Sequence, residues 1–151
     1  MIKIICVGSI KEEFFRDAIE EYKKRLTRYT KIEIIEVKDI SYDDIDKSIN
    51  LEGIDVLKHI DSKDYVITLE IQGKELSSEE IAAKIESIQS INPNIAFIIG
   101  GSYGLSNSVK ERSDFRLSFS KMTFPHQLFR IILLEQIYRS FKILNNESYH
   151  K

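Results

Sequence analysis

Apolar strand-like runs alternate with amphipathic helical patterns along 151 residues, and this predicts an α/β fold with a mostly parallel sheet flanked by helices, built as a single domain over residues 1–151. Two further observations point the same way. The runs Ile2–Val7 and Ile95–Ile99 are continuously apolar and rich in branched residues, as strands covered on both faces must be. No internal repeat, low-complexity tract or long linker interrupts the alternation, and the length suits one domain able to bury a core without disulfides or metals.

The elements follow in order. Ile2 to Val7 reads as a buried strand ended by the turn Gly8-Ser9. Phe14, Ala18, Tyr22, Leu26 and Tyr29 recur at helical spacing with charges between them, an amphipathic helix. Lys31 to Val37 (KIEIIEV) is a second strand, and the acidic stretch from Asp39 to Asp61 is helical over its later part. Tyr65 to Ile71 (YVITLEI) is a third strand, ended by Gln72-Gly73-Lys74. Ser77-Ser78-Glu79-Glu80 has the form of a capping box leading into Ile81, Ile85 and Ile88, and Asn92-Pro93-Asn94 closes that helix. Ile95 to Ile99 is the most apolar strand and runs directly into Gly100-Gly101-Ser102-Tyr103-Gly104; a short strand, Phe115 to Phe119, comes next. The last helix is expected from Pro125 in its first turn, with Thr123 as cap, to about Leu144. Its apolar residues exceed a single stripe, which predicts one face on the sheet and another on a second subunit, hence a homodimer.

Composition excludes several classes. Hydrophobic residues at 42% and charged residues at 30% rule out disordered or collagen-like chains. No apolar run approaches the roughly 18–20 residues of a membrane span, and acidic residues follow the first strand too soon for a signal peptide, so a cytoplasmic protein is expected. The single cysteine, Cys6, cannot form an internal disulfide and is expected to pack in the core. A net charge of −2 argues against binding nucleic acid through a broad basic surface. The average hides a gradient: residues 39–64 carry eight acidic and three basic side chains, residues 115–151 six basic and two acidic, so an anion would bind toward the C-terminal end.

Residues able to carry chemistry are few. Glycines 100, 101 and 104 after an apolar strand suit either a ligand loop at a strand's C-terminal end or an ordinary tight turn, and the run lacks the spacing of a dinucleotide or phosphate-loop fingerprint. His126 and Arg130 lie four apart and share a helix face, as a functional pair or a surface one. Tyr149-His150-Lys151 is either a free tail or a closure over a pocket. Three histidines and one cysteine lack metal-ligand spacing, so no metal is expected, and no GxSxG elbow occurs.

Taken together, the segments IKIICVG, EEYKKRLTRYTKIEIIEV, VITLEIQGKELSSEE, FIIGGSYGLS, LSFSKMTFPHQLFRIILLEQIYRSFKI and YHK resemble, over nearly the whole chain, the ribosomal RNA large-subunit methyltransferase H family. Its members are pseudouridine N3-methyltransferases of the SPOUT superfamily. The resemblance implies a SPOUT-type sheet with a deep C-terminal trefoil knot, where pattern reasoning alone predicts an unknotted doubly wound sheet. It also implies a homodimer and S-adenosylmethionine as methyl donor. Leu69, the glycine loop (Gly100, Gly101, Gly104) and Phe119, Ser120, Lys121, Met122, Thr123 and Phe124 match the cofactor-binding segments. His126, Arg130, Tyr149 and His150 match polar positions of the catalytic region, with the C-terminal pair reaching the partner's site. The chain departs from the family pattern at Asn145-Asn146-Glu147-Ser148, where relatives often carry Arg-Gly and proline, and its acidic segment is shorter than in some.

The implied reaction is methylation of N3 of a pseudouridine in a hairpin loop of 23S ribosomal RNA, within a large subunit or whole ribosome whose surfaces supply contacts an acidic 17.6 kDa chain lacks. An imidazole, titrating in general near ~6.5, suits removal of the N3 proton; His150 is favoured over His126, with Arg130 and Lys151 as phosphate contacts. Two other readings stand beside it: methylation of another ribosomal or transfer RNA nucleotide, and a non-catalytic ribosome assembly factor with the same fold.

Overall fold

A computed structural model describes residues 1–151. In chain order the elements are β1 (Ile2–Val7), α1 (Glu13–Leu26), β2 (Ile32–Val37), α2 (Ile45–Lys58), β3 (Tyr65–Glu75), α3 (Ser78–Gln89), β4 (Ile95–Ile99), α4 (Asn107–Arg112), β5 (Phe115–Ser118) and α5 (His126–Leu144). The five strands form one sheet in the order β2-β1-β4-β3-β5, and every neighbouring pair is parallel.

The two-residue period of a strand divides the core in two. Ile2, Ile4 and Cys6 of β1 join Ile95, Phe97 and Ile99 of β4 on the face covered by α1, α3 and α5. Ile5 and Val7 join Ala96 and Ile98 on the opposite face, under Val56 of α2 and Val109 of α4. Both central strands are thus fully buried, which is why they read as unbroken apolar runs. Cys6 is in the core as expected, and burial pushes its thiol up to about 12, so it is inert at neutral pH. Lys3 shares the α2/α4 face. Burial alone lowers the pKa of its ammonium, but Asp64 at 3.0 Å and Asp61 at 3.2 Å raise it above the ordinary lysine value, and the His59 carbonyl completes its hydrogen bonds.

Several boundaries differ from those expected. β3 continues past Ile71 to Glu75 because Leu117 of β5 pairs with both Leu69 and Lys74, so residues 70–73 bow out of the ladder and the strand resumes beyond them. Gly73 permits this: a Cβ there would lie 2.7 Å from the Leu117 carbonyl carbon. α4, with only six residues, carries no readable period and was not expected; the buried Ser106 hydroxyl caps it by accepting from the Val109 N–H. At the start of α5, Pro125 stands in the capping position rather than the first turn, and no side chain, Thr123 included, caps the helix. The expected box at α3 is present, with Ser77 Oγ accepting from the Glu80 N–H and the Glu80 carboxylate accepting from the Ser77 N–H.

α2 and α4 meet closely at Gly53, where an added Cβ would fall 2.2 Å from Ser106 Oγ. Gly53→Ala is therefore expected to reduce the unfolding free energy by about 1–3 kcal/mol, measured by urea denaturation, because the cap of α4 must move to admit the methyl.

Candidate functional site

A cavity of about 810 Å³ opens at the C-terminal ends of β3, β4 and β5, where parallel sheets bind their ligands. Three segments wall it: the excursion of residues 70–73, the glycine loop 100–104, and the connection 119–125 into α5. The glycine loop closes with the Gly104 N–H donating to the Gly101 carbonyl at 3.1 Å. Gly104 has φ +89°, open to glycine without strain, and a Cβ on Gly100 would lie 2.8 Å from the Gly104 carbonyl oxygen. The 119–125 segment is pinned by Phe119 and Phe124, both packed on Phe129 of α5 with ring centroids 5.0 and 5.9 Å away. The Ser118 hydroxyl donates to the Ser120 carbonyl, and the Met122 N–H donates to Ser120 Oγ.

The structure gathers most of the expected cofactor residues around this one space. Leu69, Gly100, Gly101, Gly104, Phe119, Ser120, Met122, Thr123 and Phe124 all line it; Lys121 alone does not, and is exposed to solvent. His126, the first residue of α5, also lines it.

Arg130 does not. One turn further along α5 its guanidinium is 99% buried, with Nη1 donating to Glu36 Oε2 at 2.7 Å and Nη2 to the Gly8 carbonyl at 3.0 Å, while Nε has no partner. The expectation that Arg130 meets phosphate is corrected: a buried guanidinium committed to a carboxylate and a carbonyl is a structural anchor. The i, i+4 spacing placed both side chains on one face, but only the first reaches beyond the sheet's end.

Tyr149 and His150 are also outside this chain's cavity. The tail lies across α3 and α5, where His150 Nε2 is 2.6 Å from Glu79 Oε1 and Nδ1 is 3.1 Å from Arg139 Nη1. A guanidinium only donates, so Nδ1 accepts and Nε2 carries the proton toward Glu79. Arg139 also lies over the Tyr149 ring at 4.8 Å and bonds Glu135, which holds its pKa above the ordinary value. Burial, then the Glu135 charge, pushes the Tyr149 phenol up to about 12.

Sequence reading missed Arg139, Glu135 and Glu79 around the tail, and Glu70 in the cavity wall. The last had a readable signal: it is the only charged residue in YVITLEI. Its side chain, 7% exposed, accepts from the Thr68 hydroxyl at 2.7 Å and faces Arg116 at 3.5 Å and Lys110 at 3.9 Å.

A parallel sheet with a glycine-closed cavity at its strand ends defines an α/β domain with its candidate ligand site at the sheet's C-terminal edge. The chain belongs to the SPOUT methyltransferase family, since residues 1–150 match the family model described as "Predicted SPOUT methyltransferase". It is accordingly a methyltransferase. Over 99% of both chains it is 53% identical to the ribosomal RNA large subunit methyltransferase H of Clostridium botulinum, and over all of both chains 50% identical to that of Caldicellulosiruptor saccharolyticus. A Methanococcus maripaludis protein that carries the same name provisionally is 57% identical over 99% of each. Among solved structures, a probable methylase family protein from Haemophilus influenzae shares the fold with a TM-score of 0.59 at 16% identity, covering 99% of this chain and 70% of that one.

Arg130, the anchor, and His126, at the cavity, separate in stability measurements. Arg130→Ala is expected to lower the unfolding free energy by about 2–3 kcal/mol, less than a fully buried pair would lose because the Glu36 side chain is 42% exposed; His126→Ala is expected to cost under about 1 kcal/mol. Glu79 lies below the ordinary carboxylate pKa, held there first by its own backbone N–H and then by His150. Only the His150 part of that lowering belongs to the docked tail: ionised Glu79 favours docking, and this contribution is lost as pH falls and the carboxylate is protonated. Release of the tail, followed by limited proteolysis, is expected on acidification through the carboxylate range and in Glu79→Gln at neutral pH.

Proposed function

We propose that the chain transfers the methyl group of S-adenosylmethionine to N3 of a pseudouridine in a hairpin loop of 23S ribosomal RNA, on the assembled large subunit or ribosome, as a homodimer in the cytoplasm. The observation that carries the reading is the cavity itself. Three loops at the strand ends enclose a space of nucleoside-ligand size with largely uncharged walls, in a member of a methyltransferase family whose relatives of matching length are named for ribosomal RNA.

The residues fit that cofactor. Gly100 has no room for a Cβ against the Gly104 backbone, and Gly104 takes a positive φ that favours glycine, so backbone groups there are open to a ligand. Leu69, Leu117 and Phe124 offer apolar contact for an adenine, and the Ser120–Thr123 backbone offers polar groups for the rest. When bound, S-adenosylmethionine supplies an electrophilic methyl group that needs no further activation. The chain's own residues then hold the acceptor nitrogen in line and exclude water.

Removal of the N3 proton falls to an imidazole, and His150 is the better candidate. In its own subunit it is held by Glu79 and Arg139 away from the cavity, so it serves through a second copy of the chain, with Tyr149 and Lys151 beside it. The half-exposed apolar edge of α5, at Leu128, Ile131 and Ile132, supports such a partner. A trefoil knot formed as the 119–125 segment enters α5 is consistent with the family and with the crowding of glycine and phenylalanine contacts there.

The test is to incubate the protein with labelled S-adenosylmethionine and large subunits or ribosomes lacking the modification, then map the product by mass spectrometry. Methyl on N3 of a hairpin pseudouridine is expected; methyl on another nucleotide would redirect the acceptor, and cofactor binding without transfer would favour an assembly factor. His150→Ala is expected to slow single-turnover transfer by about 10²–10⁴-fold.

A further inference from the structure

Three large apolar side chains stand at the cavity's mouth, one from each wall: Ile71, 46% exposed, Tyr103, 62%, and Met122, 72%. A side chain that lines a cavity yet is mostly in solvent lies at its rim. Deeper apolar residues are satisfied by one another, as in the Phe119–Phe129 and Phe124–Phe129 contacts. Tyr103 is not. Of the seven tyrosines it alone has no aromatic partner, no cation over its ring and no hydrogen bond from its hydroxyl, while the other six each pack on a ring or a cation.

We infer that Tyr103 is a stacking platform for an unpaired base of the RNA substrate as that strand enters the cavity, with Ile71 and Met122 flanking the base. The inference rests on the proposed RNA methylation and adds the contact that seats the RNA. The occupant follows from what surrounds the ring. Lys110 lines the same cavity, and it and Arg116 face Glu70 at 3.9 and 3.5 Å. An unpartnered aromatic face at the mouth of a cavity that a lysine also lines suits single-stranded nucleic acid, whose bases stack while its phosphates meet basic side chains. A second copy of the chain has a better surface in the half-exposed apolar edge of α5 at Leu128, Ile131 and Ile132. The cofactor's adenine has the interior, behind the rim.

The loss of one base–aromatic stack corresponds to a weakening of roughly tenfold. Tyr103→Ala is therefore expected to raise the Kd and the KM for unmodified large subunits about tenfold, with a smaller effect on the Kd for S-adenosylmethionine by calorimetry and no change in sedimentation behaviour. Tyr103→Phe is expected to behave as wild type, because the hydroxyl has no partner. Subunit affinity is read by fluorescence anisotropy of labelled protein without any transfer, so wild-type protein that binds unmodified large subunits but does not methylate them sinks the proposed reaction and leaves this contact measurable. Unchanged RNA affinity in Tyr103→Ala overturns the inference. So does a parallel loss of cofactor affinity, which assigns the ring to the cofactor; a change in oligomeric state, which assigns it to a second copy; or a wild-type protein with no RNA affinity at all.

Discussion

The buried guanidinium of Arg130 is the contact on which the placement of the site depends. It joins three parts of the chain far apart in sequence: α5, the end of β2 through Glu36, and the turn after β1 through the Gly8 carbonyl. Glu36 in turn accepts from the Ile10 N–H at 2.9 Å, so one carboxylate serves both the arginine and the loop leading to α1. With Nε unpartnered, the anchor is not fully satisfied, and an unpaired buried donor is destabilising. The remaining bonds and the surrounding packing must offset that. The return is geometric: α5 cannot slide along the sheet without exposing this cluster, so its first residue, His126, and the preceding 119–125 segment are held at the strand ends.

The sheet order supplies the other half of the arrangement. β4 lies between β1 and β3, so the loop after it emerges at the middle of the sheet's C-terminal edge, flanked by the excursion of β3. Parallel strands aim all of these connections at the same edge. Glycines then remove side chains where backbones must approach, at Gly73 against β5 and at Gly100 against Gly104. The cavity is thus a product of backbone contacts, which accounts for its low charge.

The C-terminal tail illustrates a different balance. Arg139 is hydrogen-bonded to Glu135 and His150 and rests on Tyr149, a cluster made almost entirely of polar and aromatic groups at the surface. Interactions of this kind are individually weak in water. Tyr149 is held more firmly, its ring edge-on to Tyr138 at 5.0 Å and packed against the core, so the polar bonds of His150 are the looser part of the tail's hold.

The sequence by itself determined the parallel α/β fold class and nine of the ten elements, and nine of the ten residues it marked for the cofactor line the cavity. Period and β-branching specify strands buried on two faces, and glycine and proline mark where they end. The short α4, the continuation of β3 beyond Gly73, and the separate fates of His126 and Arg130 were decided only by tertiary structure. Six residues carry too little periodicity to read, and the double pairing of Leu117 is a long-range choice that local pattern cannot express. The spacing of four gave His126 and Arg130 a common helix face, but which of them meets solvent and which a buried carboxylate depends on Glu36, ninety-four residues away in the chain and 2.7 Å away in space.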